Sequence, residues 1–243
     1  MHIFSNCKAA LLQGRYSWRH DSVLKALEPT LLKHIKTHND NKTLPSSKHF
    51  IKFVKKGGRV SACPAPTSLP HLLSPAHDWR CLIDYRDHNF VFPVEICITE
   101  LRPDIVIWSS SAKTVILMEL TCPSEENILQ AKARKTARYL PLIQLIQSSG
   151  WSVSLQLLEA GVRGMLSLSF SHNLRSIGLS NTLTRQMCKI VETVSRCSYI
   201  ISQAHRQNSG TSNSSLCGSK LLYPWSKRKN KNKNNNNKKI KKF

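Results

Sequence analysis

The chain has 243 residues, 40% of them hydrophobic, and carries 36 Lys and Arg against 14 Asp and Glu for a formal net charge of +22. That is enough apolar material for one sizeable domain with appendages, while no apolar run reaches spanning length and no signal-peptide stretch opens the chain, so neither a membrane span nor a secretory leader is predicted. Eight cysteines with no Cys-x-x-Cys pair read as reduced thiols of an intracellular protein, which argues against a disulfide scaffold.

The charge is not confined to the end of the chain. Nine basic residues lie in 227–243, and the remainder still holds 27 basic against 14 acidic residues, or +13. A body that basic predicts a polyanionic partner. Nucleic acid fits better than anionic membrane, because no lipidation signal or basic amphipathic helix stands out.

In chain order, residues 1–15 hold His2 and Cys7 at a His-x₄-Cys spacing. The pair looks like the second half of a zinc knuckle, or is incidental; with four ligands needed for a closed site and only two here, no bound zinc is expected. From Tyr16 to His38 the residues Val23, Leu24, Leu27, Leu31, Leu32 and Ile35 recur at three- and four-residue steps, an amphipathic helix that Pro29 should kink or split. Lys25, Lys33 and Lys36 fit its solvated face. Residues 39–78 are rich in Pro and Gly and read as a long loop region around a short helix at Lys48 to Lys55. Trp79 to Tyr85 and Phe90 to Thr99 read as strands joined by a turn over Arg86 to Asn89, with Glu95 and Glu100 as edge and loop residues.

Ile105 to Trp108 and Thr114 to Leu120 are short Val-, Ile- and Trp-rich runs separated by small polar residues, a hairpin signal. Without Asn-Gly or Asp-Gly, a four-residue loop on a type I turn is expected at Ser110 to Lys113. Ser109 then pairs with Thr114, and the same register sets Asp104 opposite Glu119, with Cβ atoms about 5 Å apart. Two carboxylates that close repel unless a cation lies between them or one stays protonated, and a hard divalent ion such as Mg²⁺ suits the oxygens. The plainer alternative is a polar strand start at Asp104 and a solvated face at Glu119. The apolar residues on both faces of the Glu119 strand weigh against it, since an uncompensated carboxylate there is costly.

Past that strand, Pro123, Ser124 as an N-cap, and Glu125 and Glu126 at the positive helix end open a helix. It carries Lys132, Lys135 and Tyr139 along one stripe, with Arg134 and Arg138 beside it, and Pro141 should kink it. Such a stripe is a solvated face or a phosphate-gripping one. Trp151 to Leu158 reads as a last strand, Gly161 to Gly164 as a turn, and Leu174 to Gly178 and Thr182 to His205 as closing helices. Residues 207–243, Ser-, Asn- and then Lys/Asn-rich, cannot bury a core and are expected to be disordered. Their basic cluster is a nuclear localisation signal, a nonspecific nucleic-acid arm, or translated A-rich sequence.

Pro103-Asp104 followed by Glu119-Leu120-Thr121 is similar to the PD-(D/E)XK motif of restriction-endonuclease-like nucleases, with Thr121 where that motif has lysine. The wider string resembles the endonuclease region that follows the reverse transcriptase in site-specific non-LTR retrotransposons: Trp18-Arg19-His20-Asp21, Leu101 to Val106, Glu125-Glu126 and Lys135 to Tyr139. The resemblance covers roughly residues 2 to 205. It implies an α/β fold over 16–206, a mixed sheet with a central antiparallel hairpin flanked by helices in the order αβββαβ. It implies a DNA endonuclease using Mg²⁺ or Mn²⁺ held by Asp104, Glu119 and the Leu120 backbone carbonyl, with the catalytic lysine, Lys135, supplied by the following helix. Arg102, Lys132, Arg134, Arg138 and Tyr139 would contact nucleic acid. Arg19 and His20 would face DNA or support the acids, and Asp84 would be a third acid or a turn-flanking residue. The implied partners are DNA, element RNA and a reverse transcriptase, in the nucleus. A fragment that binds nucleic acid without cutting it is the alternative.

Overall fold

A computed structural model describes residues 14–41, 71–85 and 90–209, with side chains to residue 200. His2 and Cys7, the expected helix at 48–55, the turn at 86–89 and the tail beyond 209 lie outside the described residues. The elements are α1 (Arg15–Asp40), β1 (Arg80–Ile83), β2 (Ile105–Ser109), β3 (Thr114–Thr121), a 3₁₀ turn (Glu125–Asn127), α2 (Ile128–Ser148), β4 (Ser152–Glu159), α3 (Leu168–Ser176) and α4 (Asn181–Ser209). One four-stranded sheet runs in the order β1-β2-β3-β4. The first three strands are antiparallel and β3 and β4 are parallel. A parallel pair needs a crossover, and α2 supplies it. The protein is therefore mixed α/β, a mixed sheet flanked by helices.

β2 and β3 are buried on both faces because helices or a packed loop cover each side. On one face Ile105, Ile107, Ile116, Met118, Leu120 and Leu158 pack with Val23, Leu24, Leu27, Leu31 and Ile35 of α1 and with Phe170, Leu174, Met187 and Val191 of α3 and α4. Each such side chain contributes roughly 1.5–3 kcal/mol by leaving water. On the other face Val106, Trp108, Val115 and Leu117 meet Tyr139, Leu142 and Ile146 of α2 and Phe92, Ile96 and Cys97 of the 90–101 segment. Leu32, expected in the core, is 40% exposed.

Three local expectations are corrected. Phe90 to Thr99 forms no strand: Pro93 has no N–H to pair, its carbonyl accepts from Ile96 N at 3.0 Å, and the resulting turn drops Phe92, Ile96 and Cys97 against the sheet. Pro29, expected to kink or split its helix, does not split it: α1 runs on through this exposed proline, as α2 does through Pro141. The helix expected at Leu174 begins instead at Leu168, where the Ser167 side chain caps it by accepting from Phe170 N. Among the described residues no helix is long and apolar enough to cross a membrane.

Candidate functional site

The β2–β3 hairpin sets the geometry. Ser109 pairs with Thr114 and Ile105 with Met118, so the next step outward puts Asp104 beside Glu119. The loop is Ser110 to Lys113, closed by Lys113 at φ 48°. Its base is pinned by Asp78, which accepts from Ser109 Oγ (2.5 Å), Ser111 Oγ (2.6 Å) and Ser111 N (2.9 Å). Asp104 continues the sheet edge: its carbonyl accepts from Asp84 N at 2.7 Å and its own N–H donates to Glu119 Oε2 at 3.2 Å.

Each acid has a cation. Lys135, one turn before Tyr139 on α2, places Nζ on Glu119 Oε1. His20 of α1 places Nε2 3.0 Å from Asp104 Oδ2, the same oxygen that accepts from Leu120 N at 2.7 Å. Among the described residues Asp104 Oδ1 receives no hydrogen bond. The Glu119 residue is 1% exposed. Burial, and then the neighbouring Asp104 charge, push its carboxyl group above the ordinary range, against the pull of Lys135 and the nearby Tyr139 hydroxyl. For His20 burial works against the charged ring, but hydrogen bonds to Asp104 and Asp21 and their charges outweigh it and raise the imidazolium to about 10. Tyr139 is 1% exposed, donates to the Arg102 carbonyl at 3.2 Å, and is raised by burial and by the Glu119 charge.

Over this quartet lies an open cleft of about 410 Å³ lined by Tyr16, Ser17, His20, Asp21, Leu120, Thr121, Cys122 and Lys135. The two carboxylates sit just beneath it, with side chains 13% and 2% exposed. His20 and Lys135, which hold them, line the cleft. Two adjacent carboxylates with an unused Asp104 oxygen, and Leu120 lining the opening, form a donor set that suits a hard divalent cation better than a soft one.

The other sequence-derived candidates divide by burial. Arg134 and Arg138 are exposed on α2, the latter 5.8 Å from the Tyr139 ring centroid. Lys132 is half-exposed and 3.8 Å from Glu159 Oε1. Arg102 forks onto Asp84, with Nη2–Oδ1 at 2.6 Å and Nε–Oδ2 at 2.7 Å. Asp84 also accepts from Phe90 N; its carboxylate is taken up by these contacts and does not join the acid pair. Two expectations are corrected outright. Arg19 is 2% exposed, its guanidinium against Tyr16 at 5.8 Å and its charge disfavoured by burial, so it does not face DNA. Tyr139 is equally buried and supports the site from beneath without gripping phosphate.

Sequence reasoning missed Glu159 at the end of β4, 0% exposed and holding Ser167 and Ser169 hydroxyls. The signal was present, because Glu159 ends an apolar strand much as Glu119 sits within one.

Fold and site together define a class: a mixed α/β protein with two facing carboxylates from a hairpin, a lysine from the crossover helix and a histidine from the first helix. No family model matches the chain, and no curated protein matches it significantly.

Proposed function

We propose that the chain is a metal-dependent DNA endonuclease domain of restriction-endonuclease-like fold, of the kind that follows the reverse transcriptase in non-LTR retrotransposons. The observation that carries this reading is Asp104 beside Glu119 across the hairpin, with Lys135 of the next helix on the second acid. Asp104, Glu119 and the Leu120 carbonyl would hold Mg²⁺ or Mn²⁺, which when bound acidifies a water and offsets charge on the attacked phosphate. Lys135, at the cleft edge, stabilises the negative charge that grows on the phosphate during hydrolysis. His20 keeps Asp104 in place and adds a second positive charge to the cleft wall. Arg134, Arg138 and Lys132 grip neighbouring phosphates, which makes affinity fall steeply with salt. The cut leaves a 3′-hydroxyl from which a reverse transcriptase extends on element RNA, work suited to the nucleus.

One observation favours a second reading, nucleic-acid binding without cleavage. Lys135 and His20 already neutralise both carboxylates, so the quartet is electrostatically complete with no cation.

Supercoiled plasmid incubated with Mg²⁺ or Mn²⁺ distinguishes the two. The nuclease reading expects nicking by the wild type and none by Asp104→Ala, Glu119→Ala or Lys135→Ala. Nicking that survives all three changes puts the chemistry elsewhere, and DNA binding without nicking favours the second reading.

A further inference from the structure

A second acid–lysine pair repeats the first one step along the same sheet face. Thr121 pairs with Glu159 in the parallel β3–β4 ladder, where Glu119 pairs with Leu157. Side chains two residues apart share a face, so Glu159 lies on the face that carries Glu119 and is covered by α2. Lys132 precedes Lys135 by three residues on that helix, a spacing that sets Cβ atoms about 5–6 Å apart on one side. Lys135 reaches the acid on β3 and Lys132 the acid on β4.

Glu159 is fully buried and only half satisfied. Its Oε2 accepts from Ser167 Oγ at 2.5 Å and Ser169 Oγ at 2.6 Å, while among the described residues Oε1 has no hydrogen-bond partner. The Lys132 ammonium lies 3.8 Å from Oε1, on a side chain 45% exposed to solvent. A buried carboxylate oxygen with no donor is costly. The serines alone would account for a tie that fixes the start of α3, but they leave Oε1 and its charge without a use.

Resting on the nuclease reading, we propose that Glu159 is a positioning residue that holds the Lys132 ammonium, three residues before the cleft-lining Lys135 on α2, to receive the phosphate next to the one cut. The substrate strand then runs past the C-terminal ends of β3 and β4, along the exposed side of the first half of α2. Glu159 touches no substrate. It acts through Lys132, whose long side chain would otherwise sample many rotamers and lose entropy on binding.

The test uses the full chain and a short fluorescein-labelled DNA duplex, with Kd read by anisotropy in EDTA over a salt series and KM and kcat read by plasmid nicking in Mg²⁺. Lys132→Met is expected to weaken binding about tenfold and to lower the salt slope by about one, the signature of one lost phosphate contact. Glu159→Gln, which keeps an oxygen for the serines, is expected to raise Kd and KM several-fold while kcat holds, and the double variant to be no worse than Lys132→Met alone. Ser169→Ala is expected to lower the melting temperature without moving Kd. An unchanged salt slope in Lys132→Met overturns the proposal. So does a Glu159→Gln protein that melts earlier but binds and nicks with wild-type Kd and KM, since Glu159 would then only tie α3. Wild type that binds with this pattern but never nicks sinks the nuclease reading and leaves the phosphate-positioning role standing; wild type that does not bind the duplex sinks both.

Discussion

Replacing Lys135 with methionine removes the ammonium from Glu119 while keeping the length of the stem. Glu119 is 1% exposed and the Lys135 side chain 21% exposed. Breaking a buried pair by removing one partner costs about 3–5 kcal/mol, and the partial exposure of Lys135 points to the low end, about 3 kcal/mol. In a domain of this size each kcal/mol moves the melting temperature about 2–4 °C, giving a loss of about 6–12 °C. The pH dependence has a definite sign. Burial and the Asp104 charge raise the Glu119 carboxyl group in the folded state. Its contribution to stability is therefore present below its unfolded pKa and is lost as pH rises through the folded one. Without Lys135 that folded value climbs further, so the deficit is larger at about pH 8 than at about pH 5, and Lys135→Met/Glu119→Gln recovers most of it. Calorimetry or circular-dichroism melts at the two pH values measure this. A Lys135→Met protein melting within about 1 °C of wild type at about pH 8 would refute the account of a buried, lysine-held carboxylate.

Three further outcomes are expected. In metal-free protein the His20 ring, followed by NMR, keeps its proton to about 10; being raised on folding, it stabilises fully below its unfolded value of about 6.5 and loses that contribution as pH rises through the folded one. Asp104→Asn should bring the His20 titration down sharply, and wild-type titration near 6.5 would contradict the contact. Tyr139→Phe removes the hydroxyl that donates to the Arg102 carbonyl and should cost about 1 kcal/mol in denaturant unfolding; a neutral change would mean the hydroxyl is unbonded. Arg134→Ala and Arg138→Ala should each lower the salt slope of DNA binding by about one with no change in melting, which anisotropy titrations read directly.

The part of the site carried by local rules was legible in the sequence. Ser109 and Thr114 bracket four small or polar residues, and once they pair the pleat leaves no freedom in where Asp104 and Glu119 fall. The Glu119 environment followed from the Val, Ile, Leu and Met around it. What a single strand or helix pattern cannot give is which side of an element the rest of the chain covers. Lys135 and Tyr139 share a stripe on α2, yet Tyr139 is sealed beneath the 90–101 segment and the sheet while Lys135 reaches the cleft. Arg19 and His20 are adjacent on α1, and one is buried while the other meets Asp104. Phe90 to Thr99 has strand composition, but Pro93 and the need to cover Val106 and Trp108 make it a packed turn. Ser167 and Ser169 carry no local signal of their role, yet the first caps α3 and both hold Glu159.

The most direct test of the central claim is strand scission by the purified chain with Asp104 changed to Asn, a substitution that keeps the shape of the side chain and removes its charge. Wild type is expected to convert supercoiled plasmid to open circles ending in 3′-hydroxyls, EDTA to abolish this, and Asp104→Asn, less stable without the His20 ion pair but still folded at the assay temperature, not to cut. Equal nicking by the Asn variant, or nicking that persists in EDTA, would contradict the claim.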